Sequence, residues 1–152
     1  MSNQGNQVSA EGLAAILART PKLLVVDDEY IVRLLFDRLA GKYELDITSV
    51  SSPEEGLRAL EKSEYDVIFL DMKFPQAMGG MDMLRTINRQ NYTGQIVVMS
   101  GSINLHDVMQ ESNKLGVVSF MIKPVDFGEE TLLMVLKRSR IRLVPRKPNS
   151  LP

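Results

Sequence analysis

Leu23-Leu24-Val25-Val26-Asp27-Asp28-Glu29 sets a pattern that Val67-Ile68-Phe69-Leu70-Asp71 repeats further along the chain. Each is a short apolar run, rich in β-branched residues, that stops on a carboxylate. Runs without polar alternation read as strands covered on both faces, the signature of the middle of a parallel sheet. Ile96-Val97-Val98-Met99, ending at Ser100, and the run from Val117 to Ile122, ending at Lys123-Pro124, extend the series. Leu45 to Val50 is interrupted by Asp46, Thr48 and Ser49, which predicts an edge strand.

Between these runs the hydrophobic period becomes helical. Ile31, Leu34, Leu35 and Leu39 predict one buried stripe, with Gly41 as its stop. Ser52-Pro53-Glu54-Glu55 combines a serine cap, proline at the first helical position and a capping-box glutamate. Leu105, Val108, Met109 and Leu115 form another stripe closed by Gly116. Asp126 to Glu129 repeats the cap spacing before Leu132, Val135 and Leu136. Five strand–helix units predict an α/β fold, a doubly wound parallel sheet with helices on both faces.

Three segments follow. Residues 1–21 form an N-terminal extension, disordered over Met1 to Gln7 and with a short helix from Ser9 to Arg19, set off by Pro21. Residues 22–139 form the single domain. Residues 140–152 form a basic, proline-containing tail that reads as a linker end.

The 152-residue chain is one domain in size, and 44% apolar residues suffice for a core. The net charge of −1 gives no global field for nucleic acid or an anionic membrane. No cysteine is present, which excludes disulfides, thiolate metal sites and cysteine nucleophiles and fits a reducing compartment. No apolar run approaches the roughly 20 residues that span a bilayer, and the N-terminus lacks the basic start and apolar stretch of a secretory signal. A cytoplasmic protein without a membrane partner is expected.

In an open parallel sheet, functional groups collect where strands end and loops begin. If the strand order is 2-1-3-4-5, then Asp27, Asp28, Glu29, Asp71, Ser100 and Lys123 converge on one rim. Carboxylates in one pocket repel unless a cation or proton relieves them. Mg²⁺ suits hard oxygen ligands and can stabilise charge during phosphoryl transfer. Asp71 can then act as a carboxylate nucleophile, with Lys123 as a positive point charge and Ser100 as a hydroxyl donor.

VVDDE, a lone Asp ending an apolar strand, VVMSG and FMIKP occur in this order and spacing. Together they resemble the receiver family of two-component signalling over roughly Lys22 to Ser139. The resemblance implies a five-stranded sheet of order 2-1-3-4-5, flavodoxin-like, as in the chemotaxis regulators. It implies that Asp71 is the phosphoacceptor, and that Asp27, Asp28, Asp71 and the backbone carbonyl of Lys73 form the Mg²⁺ site. Ser100 matches the switch hydroxyl, Phe120 the switch aromatic, and Lys123 the lysine that pairs with the phosphoryl group, with a cis bond to Pro124. It further implies a stand-alone regulator rather than an enzyme in its own right. A sensor histidine kinase or histidine phosphotransfer protein would phosphorylate it. Output would be binding of a protein target, or self-association, through the fourth helix, fifth strand and fifth helix of the family fold. The loop from Asp71 to Gly80 departs from the family pattern D-x-x-M-P-x-M-D-G, with Phe74 for Met and one extra residue before the second glycine.

Single features carry blander readings. Asp27-Asp28 alone would be an acidic helix start, Ser100 a turn residue and Phe120 core. His106 reads as a surface residue and the nine methionines as core filler. The basic group from Lys137 to Lys147 complements a helix C-terminus; without interleaved aromatics it gives little reason to expect nucleic acid. Two competing functions share the fold class. One is an interaction module that does not use phosphorylation. The other is an aspartate-nucleophile phosphatase of the haloacid dehalogenase type, which wants Asp-x-Asp where this chain has Asp27 and Glu29. A dinucleotide-binding domain would need a glycine-rich loop after the first strand.

Overall fold

The apolar runs become β1 (Lys22–Val26), β2 (Asp46–Val50), β3 (Val67–Asp71), β4 (Gln95–Ser100) and β5 (Ser119–Ile122) in the computed structural model, which describes residues 9–75, 78–101, 105–115, 117, 119–123 and 128–148. All pairings are parallel, in the order β2-β1-β3-β4-β5. The runs of β1, β3 and β4 lie inside, with every residue of β3 buried, and the interrupted β2 has none buried and lies at one edge; β5, expected inside, instead forms the other edge, with Met121 alone buried.

Among the described residues, α1 (Ala10–Ala18) precedes β1, α2 (Tyr30–Lys42), α3 (Pro53–Lys62), α4 (Gly80–Arg89) and α5 (Leu105–Lys114) connect successive strands, and α6 (Glu129–Arg138) follows β5. Because side chains alternate along a strand, each face of the sheet has its own core. Leu23, Val25 and Phe69 face α2 and α6, with Phe36 meeting the Phe69 ring edge-on at 4.8 Å. Leu24, Ile68 and Val98 face the opposite way, against Met83, Leu84 and Ile87 of α4. Each such side chain contributes about 1.5–3 kcal/mol by leaving water.

Several local expectations need correction. The buried stripe of α2 is Val32, Phe36 and Leu39, while Ile31 is 70% exposed and Leu34 and Leu35 are half-buried. Apolar residues cover more than one face of this helix, so periodicity alone admits two stripes. Gly41 lies within α2 rather than ending it. Ser52 does cap α3, accepting from the Glu55 N–H at 3.2 Å, but the Glu55 carboxylate serves the backbone and hydroxyl of Ser51 instead of closing the box on Ser52. α6 starts one residue past Gly128, which replaces Asp126 as the cap. Asp126 itself, Gly116, the Lys123-Pro124 bond and Met1 to Gln7 lie outside the described residues.

The tail differs most. Arg140 adopts φ 58°, and the Arg140 and Ile141 N–H groups donate back to Lys137 and Leu136, an αL helix end. The chain then returns to α2. The Glu44 N–H donates to the Val144 carbonyl and the Arg146 N–H to the Lys42 carbonyl, both at 2.8 Å, and Tyr43 pairs antiparallel with Pro145. Ile141 is buried and Leu143 packs on the same core. Residues 141–146 are therefore bound to the fold rather than forming a linker end. Pro145 misleads because the bridge uses groups of its neighbours and never needs the N–H that proline lacks.

The departing loop is pinned by one glycine. A Cβ on Gly80 would collide with the Asp71 carbonyl oxygen and stand 2.6 Å from the Met72 Cα, whereas on Gly79 it would meet nothing closer than 3.7 Å. The extra residue is thus absorbed before Gly80, where close backbone approach is required. Gly80→Ala should cost about 1–3 kcal/mol in urea unfolding, and Gly79→Ala less than about 1 kcal/mol, the cost of replacing a glycine N-cap by alanine. Similar losses for the two variants would contradict this assignment.

Candidate functional site

The carboxyl ends of β1, β3, β4 and β5 deliver Asp27, Asp71, Ser100 and Lys123 to one rim, as parallel topology requires. Asp27, Asp71 and Ser100 are buried, while Asp28 is exposed. Carboxylate oxygens of Asp27, Asp28 and Asp71 lie within 4.8 Å of one another. Lys123 Nζ sits among the acids, 2.5 Å from Asp27 Oδ2, 2.9 Å from Glu29 Oε1 and 3.3 Å from Asp71 Oδ2.

Backbone donors fix the two buried acids. Asp27 Oδ1 accepts from the Glu29 N–H at 2.8 Å, and Asp71 Oδ1 from the Met72 N–H at 2.9 Å. Arg33, one turn into α2, donates to the Asp27 carbonyl at 2.8 Å. Asp27 Oδ2 is buried, and the Lys123 ammonium at 2.5 Å is its one partner among the described residues. A buried anionic oxygen in that state, beside two further carboxylates, fits a hard divalent cation such as Mg²⁺.

Burial dominates the titration of the site. It raises the Asp71 carboxyl to about 6, aided by the charge of Asp27 and opposed by Lys123. Asp27 is also raised by burial, against the pull of Lys123 and the Glu29 backbone. Burial pulls Lys123 downward, yet the hydrogen bonds to Asp27 and Glu29 and the charge of Asp71 outweigh it and raise its pKa. The ammonium is therefore held charged among the acids.

Ser100 pairs in register with Ile122, and Val98 with Phe120. Alternation places Ser100 and Phe120 on the same face of the sheet, where Phe120 is half-buried against the second core. Asp27, Asp28, Asp71 and Lys123 meet on the rim and Ser100 ends β4 there, while Phe120 lies two residues before the end of β5. Glu29 was expected on the rim but given no role there, and Arg33 was not singled out. Their signal was position: both stand at the start of the helix after an acidic strand end, where side chains reach back over the rim.

Comparison with known proteins agrees with this architecture. The response regulator receiver domain family matches residues 23–136. The chain is 30% identical to the sporulation initiation phosphotransferase F of Bacillus subtilis over 108 residues, covering 71% of this chain and 86% of the relative. It is 31% identical to the two-component response regulator PhoP of Pseudomonas aeruginosa, covering 78% of this chain and 52% of that one. Of the longer response regulator protein PilR from the same species it spans 24%. The solved chemotaxis regulator CheY4 of Vibrio cholerae superposes with a TM-score of 0.69 at 25% identity, over 80% of this chain and 99% of that one.

The raised Asp71 pKa has a stability consequence. Its folded value lies above the ordinary 3.8, so the metal-free native state binds that proton more tightly than the unfolded chain. This contribution is fully present below about pH 4 and is lost as pH rises through about 6. Metal-free Asp71→Asn should therefore be more stable than the wild type at pH 7.5, by on the order of 2–3 kcal/mol, and the gap should narrow towards pH 4.5. Urea unfolding at the two pH values checks this, and a gap independent of pH would contradict it.

Proposed function

This chain belongs to the receiver family of two-component response regulators, and from that premise we propose that Asp71 is its phosphoacceptor, in a Mg²⁺-dependent reaction that controls protein binding. Receiver domains are signalling modules that histidine kinases or phosphotransfer proteins phosphorylate on aspartate, and they generally bind Mg²⁺ in an acidic pocket. The family assignment displaces the phosphatase and dinucleotide-binding readings. Among the described residues no helix is long and apolar enough to cross a membrane.

The observation that carries the proposal is the single ammonium of Lys123 shared by buried Asp27 and buried Asp71. An Asp71 oxygen attacks phosphorus as the bond from phosphorus to the donor imidazole nitrogen breaks, and the electron pair leaves with the imidazole. Asp27, Asp28, Asp71 and the carbonyl of Lys73 would hold Mg²⁺, which supplies positive charge to the transferring phosphoryl oxygens. Lys123 moves from the carboxylates to one phosphoryl oxygen, and the Ser100 hydroxyl donates to another. Space vacated by Ser100 then admits Phe120. Because Phe has no hydroxyl to anchor an inward state, phosphorylation shifts a population rather than creating a new fold.

Two surfaces support the partner readings. Exposed Ile31 and half-buried Leu34 and Leu35 of α2 line a groove whose margin holds Glu29 and Lys123, so a donor seated there would face the rim. On the output side, Ile122 of β5 and Met134 of α6 are 42% and 51% exposed. The apolar run Leu132 to Leu136 otherwise packs inward, leaving Met134 as its one exposed member.

Incubation with Mg²⁺ and acetyl phosphate should add one phosphoryl mass to the wild type, and none to Asp71→Asn or to the wild type in EDTA. Equal labelling of the wild type and Asp71→Asn would overturn the assignment. No labelling of the wild type would favour the phosphorylation-independent interaction module.

A further inference from the structure

Three carboxylates surround Lys123, and Glu29 has no part in the chemistry above. Its oxygens are not among those that cluster as a cation site, and it accepts no phosphoryl group. Nevertheless, its Oε1 makes a 2.9 Å hydrogen bond with Lys123 Nζ, beside the closer contact of that ammonium with Asp27 at 2.5 Å. We propose that Glu29 is a positioning residue, a latch whose carboxylate competes for the Lys123 ammonium, already 3.3 Å from Asp71 Oδ2, with the phosphoryl oxygen that would arrive there. The proposal rests on Asp71 being the acceptor.

The local structure gives Glu29 this role. It is the N-cap of α2, where a side chain would ordinarily accept from the first helical N–H groups, yet it makes no cap hydrogen bond. Its own N–H is bound to Asp27 Oδ1 at 2.8 Å, which fixes the backbone beneath it. The carboxylate instead reaches over the rim to β5. The pair is asymmetric: the Lys123 side chain is 9% exposed and that of Glu29 54%. A phosphoryl oxygen arriving on Asp71 must take Lys123 from this partner. The competition opposes phosphorylation, and because the Glu29 side chain is 54% exposed it weakens with salt.

Glu29→Gln keeps the size of the side chain and removes the charge. Beryllofluoride, a phosphoryl mimic, should bind this variant about 3- to 10-fold more tightly than the wild type at low ionic strength and fixed Mg²⁺. Labelling by acetyl phosphate should accelerate by a similar factor. At 1 M NaCl, where the screening length is about 3 Å, the gain should fall below about twofold. Glu29→Asp should lie between the two. In a Lys123→Ala background the Glu29→Gln gain should largely vanish, because the latch acts through Lys123; a merely structural role would survive there and ignore salt. Unchanged or weaker binding by Glu29→Gln, or an equal gain without Lys123, would overturn the latch while leaving Asp71 as the acceptor. A wild type that never labels would overturn both.

Discussion

The site is organised around mutual repulsion of carboxylates that the fold brings to one rim. Asp27 and Asp71 end adjacent parallel strands and are both buried. Water cannot relieve their charge at that depth, so it must be met by a proton, by Lys123 or by a cation. With the ammonium present, Asp71 is still raised to about 6. The site is therefore undercompensated in its resting form. This favours any ligand that brings positive charge, and it makes the position of one lysine decisive for the whole rim.

The sheet supplies the rigidity that such crowding demands. Cores on both faces hold β1, β3 and β4, so the acids cannot separate without disturbing packed side chains. The loop beyond Asp71 is fixed differently, by the backbone of Gly80 lying against Asp71 and Met72. Gly80 keeps that close contact although the loop carries one residue more than the family pattern.

Strand order, the two-sided core and the rim were legible in the sequence because each rests on a strong local signal: unbroken apolar runs that end on Asp, Ser or Lys. What escaped was tertiary. The stripe Ile31, Leu34 and Leu35 has helical spacing as good as Val32, Phe36 and Leu39, and only the direction of the sheet decides which one is buried. The reach of Glu29 to Lys123 spans 94 positions in the chain and leaves no periodic trace. Composition suggested a loose tail, because prolines and basic residues look alike in linkers and in segments bound by backbone contacts to a distant helix.

That bound tail bears on how the domain can be cut. The family match ends at residue 136, and an excision there would discard Ile141 and Leu143, whose burial completes the core beside α2. Losing Ile141 alone would forfeit about 1.5–3 kcal/mol of apolar burial, a large share of the margin of a typical small domain. The cut would also release the Lys42 and Ala40 carbonyls from Arg146. A minimal folding unit drawn from this chain would have to run through Arg146, ten residues past the conventional boundary.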